Sequence, residues 1–240
     1  MSVNKYFDNI FILNLKRDED KRNRIAKHFE QHNITYEFFE ACNGYSTEYE
    51  REWNFYNERP KLTDYEKRYN KKFLESPGAL GYLKSMSEIF KVSLKNKYKR
   101  ILVFDDDALL HKDFKLKFDQ FVNHLPTKYW KIMLLGASQY KWNLTIKNGY
   151  YLPQKLKTFG SFATGYDHSV YFELIGECKK LESPFDNIPL GNLYEKYIEQ
   201  CFVSYPNIVI ADVSRSLIRA ERNMAEHSEK MKWELDNFLQ

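Results

Sequence analysis

The sequence predicts one α/β domain with a mainly parallel central sheet flanked by helices and a helical insertion. Three observations carry this prediction. Residues 10–41 run strand, helix, strand; residues 100–110 read RILVFDDDALL, an apolar run that ends in three aspartates; and short apolar runs alternate with helical stripes through most of the remaining chain. Unbroken runs of Ile, Leu, Val and Phe are the pattern of strands buried on both faces, as parallel strands are.

The chain of 240 residues suffices for one sizeable core. Aromatic residues make up 17%, which supplies enough apolar surface to argue against disorder. Basic and acidic residues number 37 and 33, and they are interspersed, so the clustered basic face of a nucleic-acid binder is missing. A net charge of +4 still suits anionic substrates or a membrane surface. No apolar stretch reaches the length of a membrane span and no charged-then-apolar leader opens the chain. The expectation is therefore a cytoplasmic protein, with peripheral placement at a membrane left open. Cys42, Cys178 and Cys201 are odd in number and far apart, which fits reduced core thiols better than disulfides or zinc.

In order along the chain, Ile10 to Leu15 is the first strand, Asp18 a helix cap, and Ile25, Ala26 and Phe29 the buried stripe of a helix reaching Gln31. Tyr36 to Ala41 is the second strand, closed by a turn at Asn43-Gly44. Tyr45 to Ser76 is polar and aromatic and forms the insertion, with a capping box at Thr63 to Glu66 and Tyr65, Tyr69 and Phe73 four apart. Two readings of it stand side by side: an acceptor-binding lid presenting Trp53 and Tyr56, or an ordinary subdomain packed on the core. Pro77-Gly78 breaks the insertion, and Leu80, Leu83, Ser87, Phe90 and Leu94 mark the helix that feeds the aspartate-tipped strand. Asp113 can cap a helix over Phe114 to Leu125; Trp130 to Gly136 and Gly160 to Tyr166 are further strands. Helices follow at Val170 to Leu181 and over Tyr194, Tyr197, Ile198 and Cys201. Asn207 to Ala211 reads as a last strand, and Leu217, Met224, Met231 and Phe238, seven apart, predict a C-terminal helix within residues 216–240.

The chemistry concentrates at the end of the strand over residues 100–105. Ligands bind outside the carboxyl ends of strands in open α/β sheets. If the chain stays extended there, Asp105 and Asp107 share one side and Asp106 takes the other. Converging carboxylates repel unless a cation lies between them, and hard oxygen ligands suit Mg²⁺ or Mn²⁺, which fill their remaining positions with water and substrate phosphates. A set of solvated turn acids is the plainer alternative. Asn14 and Arg17 end the first strand, where an Arg fork matches phosphate geometry. A hydroxyl nucleophile needs a base within reach, and Asp186 after Pro184 is the candidate, with Asp167 and Glu173 next; a turn aspartate is its commoner role. His168 and His227 lack a spaced partner, which makes ordinary surface or core roles the more frequent outcome.

Taken together, IFILNLKRDEDKRNRI, ITYEFFEACNG with Ala41 and Gly44, SPGALGYLKS, ILVFDDDALL, GSFATGYDHS and SPFDN resemble, in order and spacing, glycosyltransferase family 25, the group of lipopolysaccharide-type and collagen galactosyltransferases. The resemblance implies a GT-A-like fold and an inverting, metal-dependent transfer of a hexose from a UDP-sugar to a hydroxyl on a glycan, lipid-linked or protein acceptor. A homodimer is compatible with it. It implies that Asn14, Leu15, Arg17, Gly44, Ser85, Asp105 and Asp106 bind the nucleotide sugar, that Asp105 and Asp107 hold Mn²⁺ or Mg²⁺, and that Asp186 is catalytic. Ala79, Met86 and Leu217 stand where the family commonly has Glu, His and Asp, each a polar group expected near the crevice. A sugar-nucleotide or glycan-binding module without catalysis is the alternative; a two-metal phosphoryl-transfer site lacks the further acids it would need.

Overall fold

The computed structural model describes residues 3–215 and 222–238. A short helix α1 (Val3–Tyr6) precedes β1 (Asn9–Asn14), α2 (Glu19–Gln31) and β2 (Glu37–Glu40), the expected opening unit. The insertion holds α3 (Thr47–Glu58) and α4 (Asp64–Tyr69). Helix α5 (Pro77–Lys95) feeds β3 (Arg100–Asp105), which turns at residues 106–107 into β4 (Ala108–Leu110). Then come α6 (Phe114–His124), β5 (Ile132–Leu134), β6 (Ser138–Gln139), β7 (Tyr150–Tyr151), β8 (Thr158–Phe159) and β9 (Ala163–Asp167). The chain continues through α7 (Tyr171–Lys179), α8 (Ile188–Lys196), β10 (Cys201–Ser204), β11 (Val209–Ala211) and α9 (Met224–Met231).

The main sheet has the order β2-β1-β3-β9-β5-β10-β7. Strands β1, β2, β3, β5 and β10 run one way, and β9 and β7 run against them. This is the mainly parallel α/β sheet flanked by helices that the sequence predicts. Alternation along the strands splits the core by face: Ile10, Ile12, Leu102 and Phe104 pack with Phe29 of α2 and Phe114 and Phe118 of α6, whereas Phe11, Leu13, Ile101 and Val103 pack with Leu83 and Phe90 of α5 and Leu174 of α7. Burial on both faces is why these strands read as continuous apolar runs.

Strand β9, antiparallel between β3 and β5, sets up the site. Leu13 lies opposite Asp105, Asn14 opposite Glu40, and Phe104 opposite Ala163. So the last residues of β1, β2 and β3 meet the first residues of β9, and the turn at residues 160–162 reaches the crevice. The two-stranded ribbon of β4 and β11 pairs Ala108 with Ala211, which brings Asp212 beside Asp107.

Several expectations change in detail. The helix expected through Cys201 stops at Lys196, because Tyr197 leaves helical geometry at φ −122°, and Cys201 opens β10 opposite Ile132. Residues 207–211 give β11 in the side ribbon, outside the main sheet. Pro77 ends the insertion as expected, and does so as the first residue of α5, since a proline lacks an N–H just where a helix has no use for one; Ser76 caps it by accepting from the Ala79 amide at 3.2 Å. The capping box at Thr63 and Glu66 is present, whereas Asp18 and Asp113 flank their helices without side-chain caps. The C-terminal helix spans only Met224–Met231: Lys232 takes a left-handed conformation at φ 58°, and the Trp233 amide closes onto the Ser228 carbonyl at 2.8 Å. Leu217 lies outside the described residues.

Candidate active site

Two clefts open where β1, β3 and β9 meet, and they share Tyr82, Asp105 and Asp107. The first, of about 680 Å³, is bounded by Leu13, Leu15, Arg17 and Lys21 on the β1–α2 side, and by residues 41–45, Gly78 and Ser85 on the other. The second, of about 860 Å³, is walled by Phe159 to Phe162, by Pro184 to Asp186, and by Ala79, Ser138 and Arg222.

The aspartates divide as alternation suggests, although residues 106–107 form a turn and not an extension of β3. Asp105 and Asp107 line both clefts, whereas Asp106 lines the first alone; its Oδ2 accepts from Asn14 Nδ2 at 2.8 Å, and its Oδ1 lies 3.5 Å from the Lys21 ammonium. Asp105 accepts from the Tyr82 hydroxyl at 2.8 Å, and that hydroxyl lies 2.8 Å from Ser161 Oγ. Burial, and then the neighbouring Asp107 charge, push the Asp105 carboxyl well above its ordinary range, against the Tyr82 hydrogen bond. Burial and the Asp106 charge push Asp107 up to about 6, with Lys21 and Arg24 opposing. Burial also raises Asp106, opposed by Lys21 and Asn14. The crevice thus holds unfavourable negative charge.

Nearby cations are built in but committed elsewhere. Arg24 donates to Asp212 at 2.6 Å, and Lys21 faces Asp106. Arg17 is exposed at the rim of the first cleft, 3.9 Å from the Asp18 carboxylate.

Gly44 and Ser85 shape the first cleft from behind. A Cβ on Gly44 would stand 1.7 Å from the Pro77 carbonyl, and one on Gly81 would stand 2.4 Å from the Cys42 carbonyl, so the loop after β2 lies directly on the first turn of α5. Ser85 is fully buried; its hydroxyl accepts from the Cys42 amide and donates to the Gly81 carbonyl, both at 2.8 Å, and so fixes that loop.

In the second cleft Asp186 is half-buried and its Oδ2 accepts from the Gly160 amide at 2.9 Å. Gly160 sits at φ +90°, the left-handed region that glycine enters without strain, and this aims its N–H at Asp186. The two reserve candidates fall elsewhere. Asp167 pairs with Arg100 at the opposite end of β3, and Glu173 holds Lys196 at 2.6 Å, so neither lines a cleft. His168 is exposed beside Asp167, and buried His227 lies 3.5 Å from Ser138 Oγ against Trp233.

The departures also resolve by position. Ala79 lines the second cleft, whereas Met86 is fully buried among core side chains and lines neither cleft, so a polar group lost there is not lost from the site. In the insertion, Tyr56 is fully buried with its hydroxyl accepting from the Leu74 amide at 3.0 Å, and Trp53 stacks on it at 5.6 Å. These two rings follow the packing reading; Tyr45 is the aromatic that reaches the first cleft, 58% exposed.

Sequence reasoning missed Tyr82, Ser161 and Lys21. Lys21 carried a usable signal as a cation in the first turn of the helix that follows the first strand; Tyr82 and Ser161 carried none.

The model of glycosyltransferase family 25 (LPS biosynthesis protein) matches residues 7–179. The chain belongs to this family. Among curated relatives of this family 25 chain, procollagen galactosyltransferase 2 of Mus musculus is 26% identical over 137 residues, covering 55% of this chain and 21% of that protein. The Homo sapiens protein of the same name is 25% identical over the same extent. The chain therefore spans about a fifth of the length of the curated relatives it matches. Among solved structures, a glycosyltransferase involved in the glycosylation of the major capsid of PBCV-1 aligns over 93% of this chain and 100% of its own, at 10% identity and TM-score 0.45. Mouse xyloside xylosyltransferase 1 aligns over 81% and 71%, at 13% identity and TM-score 0.40.

Proposed function

We propose that this chain transfers a hexosyl group from a UDP-sugar to a hydroxyl acceptor, with inversion. The observation that carries the reading is the pair of clefts meeting at Asp105 and Asp107, one with Arg17 and Lys21 at its wall and the other with Asp186. The first suits a nucleoside diphosphate, since cations at a strand end attract phosphate. The second, walled by Phe159, Phe162 and Phe185 with a few polar groups, suits a sugar ring and its acceptor. Membership of family 25 supports the reaction class, and the names of the relatives support galactose as donor sugar and a protein acceptor.

Among the described residues no three His, Cys, Asp or Glu group to hold a metal. Two carboxylates raised by burial and by neighbouring carboxylate charge are nonetheless a donor set that Mn²⁺ or Mg²⁺ accepts, because these ions keep water and substrate phosphates as their other ligands. Asp107 and Asp105 would hold the ion, which supplies charge stabilisation to the departing diphosphate. The chain's own groups do the rest. Arg17 and Lys21 attract the diphosphate, and the Phe-lined wall displaces water. Asp186, held at one oxygen by the Gly160 amide, takes the acceptor proton as the acceptor oxygen bonds to the anomeric carbon. The bond from that carbon to the diphosphate oxygen breaks on the opposite face, its electron pair leaving with the diphosphate.

Ala79 in the second cleft favours one other reading, a binding module that has lost turnover. A panel of UDP-hexoses with glycan and hydroxylated-peptide acceptors separates the two. Transfer with an inverted anomeric centre supports the enzyme; UDP binding without transfer or hydrolysis supports the module.

A further inference from the structure

The turn at residues 160–162 touches both carboxylate centres. The Gly160 amide donates to Asp186 at 2.9 Å, the Phe162 carbonyl accepts from the Asp105 amide at 3.0 Å, and between them Ser161 Oγ meets the Tyr82 hydroxyl at 2.8 Å. Tyr82 completes the loop by donating to Asp105 Oδ1 at 2.8 Å. It reaches there from the first turns of α5, its ring 6.0 Å from that of Phe185, which neighbours Asp186. Tyr82 and Asp105 line both clefts, so this hydrogen-bonded bridge is the partition between them.

We propose that Tyr82 is a positioning residue: through its paired bonds to Asp105 and Ser161 it fixes the Asp105 carboxylate, shared by the two clefts, relative to Asp186 in the second, and so sets the line along which acceptor, anomeric carbon and leaving diphosphate align. The inference rests on the glycosyl-transfer reading. It follows from the geometry that a phenol, with one hydroxyl able to donate and accept, spans the two segments, whereas a Phe of the same shape cannot. Alignment is the quantity at stake, because a displacement of about 1 Å at a reacting centre costs on the order of 10²-fold in rate.

The experiment is a double-mutant cycle on the full chain with Tyr82→Phe, Ser161→Ala and the double variant, reading transfer, donor hydrolysis, donor KM and calorimetric UDP affinity. Tyr82→Phe should lower kcat for transfer by about tenfold to a hundredfold while donor KM and UDP affinity stay within about twofold. Hydrolysis should fall less than transfer, so the ratio of transfer to hydrolysis drops. The double variant should lose little more than the worse single variant, since both substitutions break one bridge. Additive losses, an unchanged ratio of transfer to hydrolysis, or wild-type turnover in Tyr82→Phe would overturn the proposal alone. A wild-type chain that neither binds UDP nor consumes any UDP-hexose would overturn the parent reading and this one with it.

Discussion

Two buried carboxylate sites in this molecule are solved in opposite ways. In the insertion, Glu66 is fully buried, yet Arg59 forks onto it at 2.7 and 2.9 Å and the Leu62 and Thr63 amides donate at 2.9 and 3.3 Å. Burial alone would raise its pKa, but these donors outweigh burial and hold it below the ordinary carboxylate range. At the end of β3 the outcome reverses: burial and neighbouring charge hold Asp105 and Asp107 above that range. Among the described residues no guanidinium forks onto either, although Arg24 and Lys21 stand close by, committed to Asp212 and Asp106. A structural acid is satisfied by its own chain. On the proposed function, the acids at the end of β3 are left under-compensated for a ligand, the kind of perturbation in a cleft that clusters at functional sites.

The comparison breaks most visibly at Asp107. Asp107→Asn should reduce transfer by about 10³-fold, the scale of removing a preorganised charge partner of the reacting group, while the melting temperature holds or rises because a repelling charge is gone. Steady-state rates beside a thermal melt check both halves. Arg59→Met should do the opposite, costing about 3 kcal/mol of stability, as for a buried ion pair left with one partner. Turnover per folded molecule should stay near wild type; denaturant unfolding with active-site titration reads the two separately.

Smaller effects sharpen the contrast. Asp186→Asn should lower transfer by about 10²-fold, the usual contribution of a positioned base, with UDP affinity unchanged in calorimetry. Loss of UDP affinity would move Asp186 into the donor site. For pH, Glu66 is depressed in the folded state, so its contribution to stability is complete above the unfolded value near ~4.3 and is lost as pH falls through the lower folded value. Unfolding free energy measured between about pH 5 and pH 2 should show a fall that Glu66→Gln makes shallower, the remainder coming from the likewise depressed Asp212 and Glu173.

What the sequence revealed tracks how local each cause is. The opening unit and the aspartate strand were legible because burial on both faces writes itself as an apolar run. Strand β10 was not: Tyr194, Tyr197, Ile198 and Cys201 keep helical spacing past the true end of α8, and only pairing with β5 makes Cys201 a strand residue. The direction of β9 has no sequence signature either, yet it decides that Gly160 and Ser161 reach the crevice. The residue types at the strand end could be read as a charged site, whereas Tyr82 on a helix and Ser161 in a turn acquire meaning only by meeting across 79 positions. Gly44 and Ser85, which the resemblance assigns to the nucleotide sugar, both line the first cleft, and both also take part in the close packing of the post-β2 loop on α5 that shapes it.

The central claim is that the carboxylates at the end of β3 are left for a cation and a nucleoside diphosphate. Calorimetric titration of UDP into the wild-type chain and Asp107→Asn, with Mn²⁺ and with chelator, tests it most directly. The account predicts binding in wild type with Mn²⁺ that is lost with chelator and in Asp107→Asn. Equal UDP affinity under all of these conditions, or none under any, would contradict it.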